Sequence, residues 1–554
     1  MDTNNIKTVS QLIIECLEAE GVKYIFGLPG EENLHLVLAC ANSSIKFILV
    51  RHEQGASFMA DIYGRLTGKA GVCISTLGPG AINLLLGVAD AQTDSTPLVA
   101  ISAQVGLNRI YKESHQYVDL VSMFKPITKW ADIILTPNSV PEMIRKAFEL
   151  AQTERPGAVF IALPEDVEEM HIDTSLKPLL TRPQHTSYPD PKMLEQAKEL
   201  IVNAKNPVIL VGHGAVRNKA SEALQRFAEQ LQIPVATTFM AKGILSDRNP
   251  LLLGVIGFMK HDYENFAFDK ADLIISIGYE LQEFTPSKIN PNNNKNIIHI
   301  HQIAEDEDIA YPITVAIQAD ISATLNMLCE QLPKNSHTPW KGIANIIQLH
   351  KEELEYGESA DDYPLKPQRV ISDIRKAMKD DDIVLVDTGA VKMWMARLYP
   401  TYLPLTCIIS NGLSTMAFSL PGALAAKLAC PDCKVLVVTG DGGFMMNSQE
   451  IETAIREKIP FVILIWEDKS YGLIKWKMDM EIGKHQFVDF TNPDFVTYAE
   501  AFGAKGYRIT KAEDLLPILQ KALNDSTVSV ISCPVDYSEN MKLIEKLGEL
   551  DLKL

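Results

Sequence analysis

Short runs of aliphatic and β-branched residues recur along the whole chain, each closed by Gly, Pro, Asp or Ser and followed by a stretch with apolar positions at helical spacing. Uninterrupted apolar runs that alternate with helix-length segments are expected of strands buried on both faces of a parallel sheet. Three sets stand out: 24–26, 47–50, 72–75, 98–102 and 159–163; then 208–211, 235–238, 273–277 and 297–300; then 383–386, 407–410, 435–439, 461–466 and 528–533. The pattern predicts an α/β protein of three doubly wound parallel-sheet domains, at 1–172, 190–332 and 365–545. A Pro-rich polar stretch from His171 through Pro183, Pro189 and Pro191 reads as a linker, and a looser region at 333–367 encloses one predicted helix at 343–356.

Composition narrows the function classes. With 46% hydrophobic and 22% charged residues, the 554-residue chain has the make-up of a globular enzyme. A net charge of −18 argues against a nucleic-acid surface. No apolar stretch reaches the ~18 residues of a membrane span, and Met1–Asn5 lack a basic-then-apolar leader, so a cytoplasmic, membrane-free protein is expected. Of eight cysteines, only Cys430 and Cys433 have zinc or redox spacing; with no second pair to complete a zinc site, all are expected to be reduced thiols.

The chemistry concentrates in the third domain. The strand 435–439 runs into Gly440-Asp441-Gly442-Gly443, and the strand 461–466 ends in Glu467-Asp468. A βαβ unit sets such strand ends side by side at the carboxyl edge of the sheet. Two carboxylates there suit a hard cation such as Mg²⁺ that also takes phosphate oxygens, with the glycines letting backbone approach the phosphate. A helix expected at 447–458 would direct its positive end to the same place. In the first domain a strand enters Arg51-His52-Glu53, and Phe26-Gly27-Leu28-Pro29-Gly30 and Ser75-Thr76-Leu77-Gly78-Pro79-Gly80 form glycine-bearing loops at the same edge. A glutamate at a helix start is also ordinary dipole pairing.

Taken together, the Gly440–Gly443 element with Asp468, the upstream Arg-His-Glu at 51–53, Ser114-His115-Gln116 with Asp119, Arg155-Pro156-Gly157, Asn411-Gly412 with Thr415-Met416, and the tail 534–540 resemble thiamine-diphosphate-dependent decarboxylases and carboligases, essentially end to end. The resemblance is greatest to acetolactate synthases of the catabolic, acetoin-forming type. It implies that Glu53 hydrogen-bonds the aminopyrimidine of thiamine diphosphate, in an apolar setting expected to raise its pKa. It implies too that Met416 wedges the cofactor and that the Ser414 carbonyl accepts its 4′-amino group. Asp441, Asp468 and the backbone oxygen of Ser470 would ligate Mg²⁺. Pro29, Gly30, Gly389, Ala390, Val391, Gly440, Gly442, Gly443, Tyr471 and Gly472 would also line the cofactor. Gln116 and His115 fall near the reacting carbonyls, and Trp476 aligns with a residue that selects the acceptor substrate.

The implied reaction joins two pyruvates, with loss of CO₂, into 2-acetolactate; 2-oxobutyrate is the alternative acceptor. Because Glu53 and the metal ligands belong to different domains, the resemblance implies a homodimer or homotetramer with sites between subunits. Ala390-Val391 stand where biosynthetic synthases carry Gln-His. The segment 278–284 lacks the arginines of the flavin-binding type, so FAD is not expected, although Gly212-His213-Gly214 leaves a partial nucleotide loop open. Other 2-oxoacid decarboxylation or oxidation on the same cofactor, or a non-catalytic nucleotide-binding protein of this fold, are the alternatives.

Overall fold

The computed structural model describes residues 7–182, 186–257, 262–304, 306–338 and 342–540; Met1–Asn5, Pro183 of the expected linker and 541–545 of the third expected domain lie outside the described residues. Three six-stranded sheets follow one another along the chain. The first comprises β1 (Tyr24–Gly27), β2 (Lys46–Leu49), β3 (Gly71–Ser75), β4 (Leu98–Gln104), β5 (Trp130–Ile133) and β6 (Ala158–Pro164). The second comprises β7 (Pro207–Val211), β8 (Val235–Thr237), β9 (Leu252–Val255), β10 (Leu273–Ile277), β11 (Asn296–His301) and β12 (Ile313–Gln318). The third comprises β13 (Ile383–Val386), β14 (Cys407–Ile409), β15 (Val435–Gly440), β16 (Val462–Glu467), β17 (Lys505–Arg508) and β18 (Ser529–Pro534).

Every neighbouring pair within these sheets is parallel. The first and third sheets share one strand order, β2-β1-β3-β4-β6-β5 and β14-β13-β15-β16-β18-β17. The central sheet runs β9-β8-β7-β10-β11-β12, the 3-2-1-4-5-6 order of dinucleotide-binding folds. Four strands escape the hydrophobic pattern: β5, β9, β12 and β17. All four are edge strands, and three of them are largely half-exposed, so the apolar run that marks a central strand is diluted. The linker region also holds a short strand, His171–Ile172, paired antiparallel with Lys7–Thr8.

Helix placement corrects one expectation. In place of one helix at 447–458 there are two, Asp441–Asn447 and Glu450–Arg456. The first starts directly at the end of β15, so its opening turn, not residue 447, faces the sheet edge. The helix expected at 343–356 spans Gly342–Ser359.

The first and third domains share a core. Helix α1 (Glu53–Thr67) packs on α4 (Ser419–Ala429), with Phe58, Met59 and Ile62 against Leu420, Ala423 and Ala426. Gly422 permits the approach: a Cβ there would lie 2.8 Å from Ile62 Cγ1. Just beyond α4, Cys433 N donates to Cys430 O and the tight turn brings the two sulfurs into a disulfide, so the expectation of reduced thiols fails for this pair. The other six cysteines are free and buried. Among the described residues no helix is long and apolar enough to cross a membrane.

Candidate functional site

In the third sheet, β13 leads outward through β14 on one side while β15 and β16 follow on the other, so the chain reverses direction between β13 and β15. A crevice at such a switch point, beyond the carboxyl ends of the strands, is where open α/β sheets hold ligands. A cavity opens there, with about 560 Å³ of space continuous with bulk solvent. Thr388, Gly389, Ala390 and Val391 line it from the start of α3 (Ala390–Leu398), Gly440 to Gly443 from the end of β15, and Asp468, Ser470, Tyr471 and Gly472 from the loop after β16. Met416, Leu473, Ile474 and Tyr537 complete the wall.

Asp441 opens α5 (Asp441–Asn447) and is buried. Its Oδ2 accepts from Lys469 N at 2.7 Å, Asp468 N at 3.2 Å and Asn492 Nδ2 at 2.7 Å, which locks one carboxylate against the loop that carries the other. Burial and the adjacent Asp441 charge push the Asp468 carboxyl up to about 7. A buried and a half-buried carboxylate held against their own repulsion, with the Ser470 backbone beside them, form an all-oxygen donor set that fits a divalent cation.

The glycines divide by role. A Cβ on Gly440 would meet open space, whereas on Gly442 it would lie 2.9 Å from the Tyr471 ring and on Gly443 2.6 Å from Asp387 Oδ2. Gly442 and Gly443 therefore admit the protein's own side chains. Gly472 lets the next helix start 2.6 Å from Asp468 Oδ2 by the same measure. Gly389 has φ 143°, a conformation that disfavours side chains.

Ser414 sits two loop positions before Met416, at φ 54°, and does not itself line the cavity. Trp476 is the buried residue of α6 (Gly472–Ile482), and Leu473 and Ile474 of that helix face the cavity in its place. The first-domain candidates gather elsewhere, at the equivalent switch point between β1 and β3. Glu53 is buried at the start of α1, and its Oε2 accepts from Asn83 Nδ2 at 3.0 Å. Pro29 and Gly30 occupy the loop after β1, where Gly30 packs on Thr76. His115 and Gln116 are exposed, Gln116 at φ 57° with its backbone oxygen against Gly78. None of these five lines the cavity of the third domain.

Three residues that sequence reasoning passed over matter to this geometry. Asn492 donates to Asp441 from a loop with no periodic signal. Asp387, buried at the end of β13, accepts from Ala417 N and from Thr439 Oγ1, and carries the strand-end signal that marked Asp441. Glu450, fully buried, accepts from Arg51 N and His52 N at 3.1 Å and so ties the Glu53 turn to the third domain.

The partial nucleotide loop of the central domain is filled by the protein itself. Glu283 accepts from His213 N, Glu280 N and Thr238 Oγ1, and burial pushes its carboxyl up to about 8. A Cβ on Gly214 would lie 2.4 Å from His301 Nε2, so the glycines admit protein groups here too. Glu154, Glu280 and His301 cluster nearby, but Arg217 already bridges both glutamates.

Domain families match along the chain: the N-terminal TPP binding domain of thiamine pyrophosphate enzymes at residues 7–123, their central domain at 194–328 and their C-terminal TPP binding domain at 387–533. An acetolactate synthase of Bacillus subtilis (strain 168) is 34% identical, over 98% of this chain and 96% of its own length. A catabolic acetolactate synthase of Raoultella terrigena is 34% identical over 97% of both chains. The acetolactate synthase large subunit of Corynebacterium glutamicum is 34% identical over 94% of this chain and 86% of its own length. Cavity, fold and likeness agree: the chain belongs to the thiamine-diphosphate-dependent acetolactate synthase family of carboligases.

Proposed function

We propose that this enzyme condenses two pyruvates, with release of CO₂, into 2-acetolactate, with Mg²⁺ and thiamine diphosphate in the cavity between β13 and β15. The observation that carries the reading is the paired Asp441 and Asp468 at that switch point, lined on the other side by Gly389 to Val391. Thiamine diphosphate supplies a nucleophilic thiazolium carbon and an electron sink for decarboxylation. Asp441, Asp468 and the Ser470 carbonyl oxygen hold the cation against the diphosphate. Backbone N–H groups at the start of α3 take phosphate oxygens, replacing the absent Gln-His side chains. Met416 props the cofactor and the Ser414 carbonyl accepts its 4′-amino group. Leu473, Ile474 and Met416 form an apolar wall that favours a neutral product over a charged carboxylate.

Glu53 has no place in this cavity within one chain. We assign it to the cavity of a second copy, where Glu53 of the partner subunit holds a proton at N1′ of the aminopyrimidine while His115 and Gln116 of the partner subunit orient pyruvate. Apolar side chains left exposed beside both half-sites support the pairing: Ile82 and Leu86 flank Asn83, and Met445 and Met446 follow Asp441 on α5. The assembly is a homodimer or a pair of such dimers, and the site of action is the cytoplasm. Trp476 acts on acceptor choice between pyruvate and 2-oxobutyrate through the setting of Leu473 and Ile474. FAD takes no part: the N–H groups of His213 and Glu280 are already bound to Glu283.

The test is turnover of pyruvate by purified protein with Mg²⁺ and thiamine diphosphate, with and without added FAD. Acetolactate is the expected main product, at equal rate in both arms. Acetaldehyde or peroxide as main product would overturn the acetolactate assignment, and a need for FAD would overturn the flavin-free one.

A further inference from the structure

Lys392 follows Val391 in α3 but turns away from the cavity, and only 6% of it is exposed. Its three ammonium donors are all used: Nζ lies 2.8 Å from Ser410 O, 3.2 Å from Asn411 Oδ1 and 3.0 Å from Ser414 Oγ. The acceptors span the loop that leaves β14 and ends at Met416. The loop and the residue just after it hold strained backbone, with Ser414 at φ 54° and Ala417 at φ 68°, conformations that persist in non-glycine residues only when the surroundings impose them.

The surroundings come from all three domains. Asp94 accepts from Asn411 N and from Gly412 N, and Asp90 accepts from Ser410 Oγ, both from α2 (Pro79–Thr93) and its cap. Asn411 Nδ2 donates to the Glu283 carbonyl of the central domain at 2.7 Å. Asp387 takes Ala417 N from below. Lys392 is the one cation bonded to the loop among the described residues. It faces Asp90 and Asp94, with the Arg65 guanidinium beyond and the Phe239 ring 5.4 Å away.

We propose that Lys392 is a positioning residue: it clamps the loop 410–416 so that the Ser414 carbonyl and the Met416 side chain meet the aminopyrimidine end of the cofactor in register. The proposal rests on the cofactor placement given above. It assigns Lys392 no contact with substrate or cofactor; the residue works through three loop acceptors. Because α3 also supplies the N–H groups of Ala390 and Val391, one helix turn sets both ends of the cofactor site.

The experiment compares wild type with Lys392→Met, which keeps the length but removes all donors, and Lys392→Gln, which restores two donors without charge. In the cofactor-free protein, amide exchange over 410–417 is expected to rise about tenfold in Lys392→Met. In the loaded enzyme, the near-ultraviolet circular dichroism band of the bound aminopyrimidine should weaken. The kcat should fall about 10- to 100-fold while KM for pyruvate stays within about twofold, as expected of a small displacement of positioned groups. Lys392→Gln should recover part of each loss, and it carries the same measurements if Lys392→Met does not fold. A folded Lys392→Met with unchanged exchange, band and kcat overturns the proposal, as does a variant with lower thermal stability alone. Should wild type bind no thiamine diphosphate, the cofactor placement fails instead, and the exchange measurement still decides the clamp.

Discussion

Glu53 and Asp441 are both buried carboxylates at the carboxyl ends of parallel strands, yet they should answer substitution differently. Among the described residues the Glu53 carboxylate has one side-chain hydrogen-bond partner, Asn83, so Glu53→Gln keeps the shape and removes the acid–base group. We expect kcat to fall by about 10²–10⁴ with cofactor affinity little changed, read by steady-state kinetics and calorimetric titration. Asp441 is bonded to three backbone N–H groups and Asn492, so Asp441→Ala should weaken binding of Mg²⁺ with thiamine diphosphate by at least about 100-fold in the same titration. Lys392 supplies a pH signature of stability. Burial lowers its pKa to about 8, against the pull of Asp94 and Asp90, while an unfolded lysine titrates near ~10.4. Between those values the unfolded chain binds a proton that the folded one does not, so the cost of burying Lys392 is full below pH 8 and fades as pH rises. The stability of wild type relative to Lys392→Met should therefore increase from pH 8 to about 10.4 in urea titrations; a flat difference would refute the assignment. Asp441 and Asp468 were legible because each directly follows a strand that is apolar over most of its length. Asn492 and Lys392 were not, since neither a loop amide nor a lysine on an amphipathic helix differs in sequence from its many solvated counterparts.

At the level of elements, the joint between the first and third domains rests on a buried ion pair. Arg65 of α1 reaches Asp94 at 2.6 Å and also donates to the Ile409 carbonyl at the end of β14. Asp94 in turn holds Asn411 N and Gly412 N. Asp94→Ala leaves a guanidinium and two N–H groups buried without their anion, and a loss of about 3–5 kcal/mol in unfolding free energy is expected from denaturant midpoints. A loss below about 1 kcal/mol would mean that the joint does not depend on this pair. The central strands were readable because burial on both faces demands continuous apolar residues. Edge strands β5, β12 and β17 need only part of that pattern, and β17 reads Lys-Gly-Tyr-Arg. Their existence follows from sheet pairing with β6, β11 and β18, which no local window contains.

For the whole molecule, the decisive arrangement is the separation of Glu53 from the cavity that holds Asp441. If each site takes Glu53 from one subunit and Asp441 from the other, two dead variants can complement. Mixing a Glu53→Gln chain with an Asp441→Ala chain should place one intact site in each heterodimer and restore about a quarter of wild-type activity. No recovery under proven subunit exchange would count against shared sites. The sequence by itself determined the class of the fold, its three domains, the strand-end aspartates and the likeness to thiamine-diphosphate enzymes, because apolar runs and glycine-acid turns are local and obey fixed spacing. Tertiary structure alone decided that the first and third sheets share one strand order, that the cavity lies at a switch point, and that Glu283 fills the partial nucleotide loop. It also decided that Lys392, Asp94 and Glu450 bind loops from other parts of the chain. Those contacts join residues as far as 399 positions apart. Such pairing depends on how helices and sheets pack, and packing is a property of surfaces that meet only once the chain has folded.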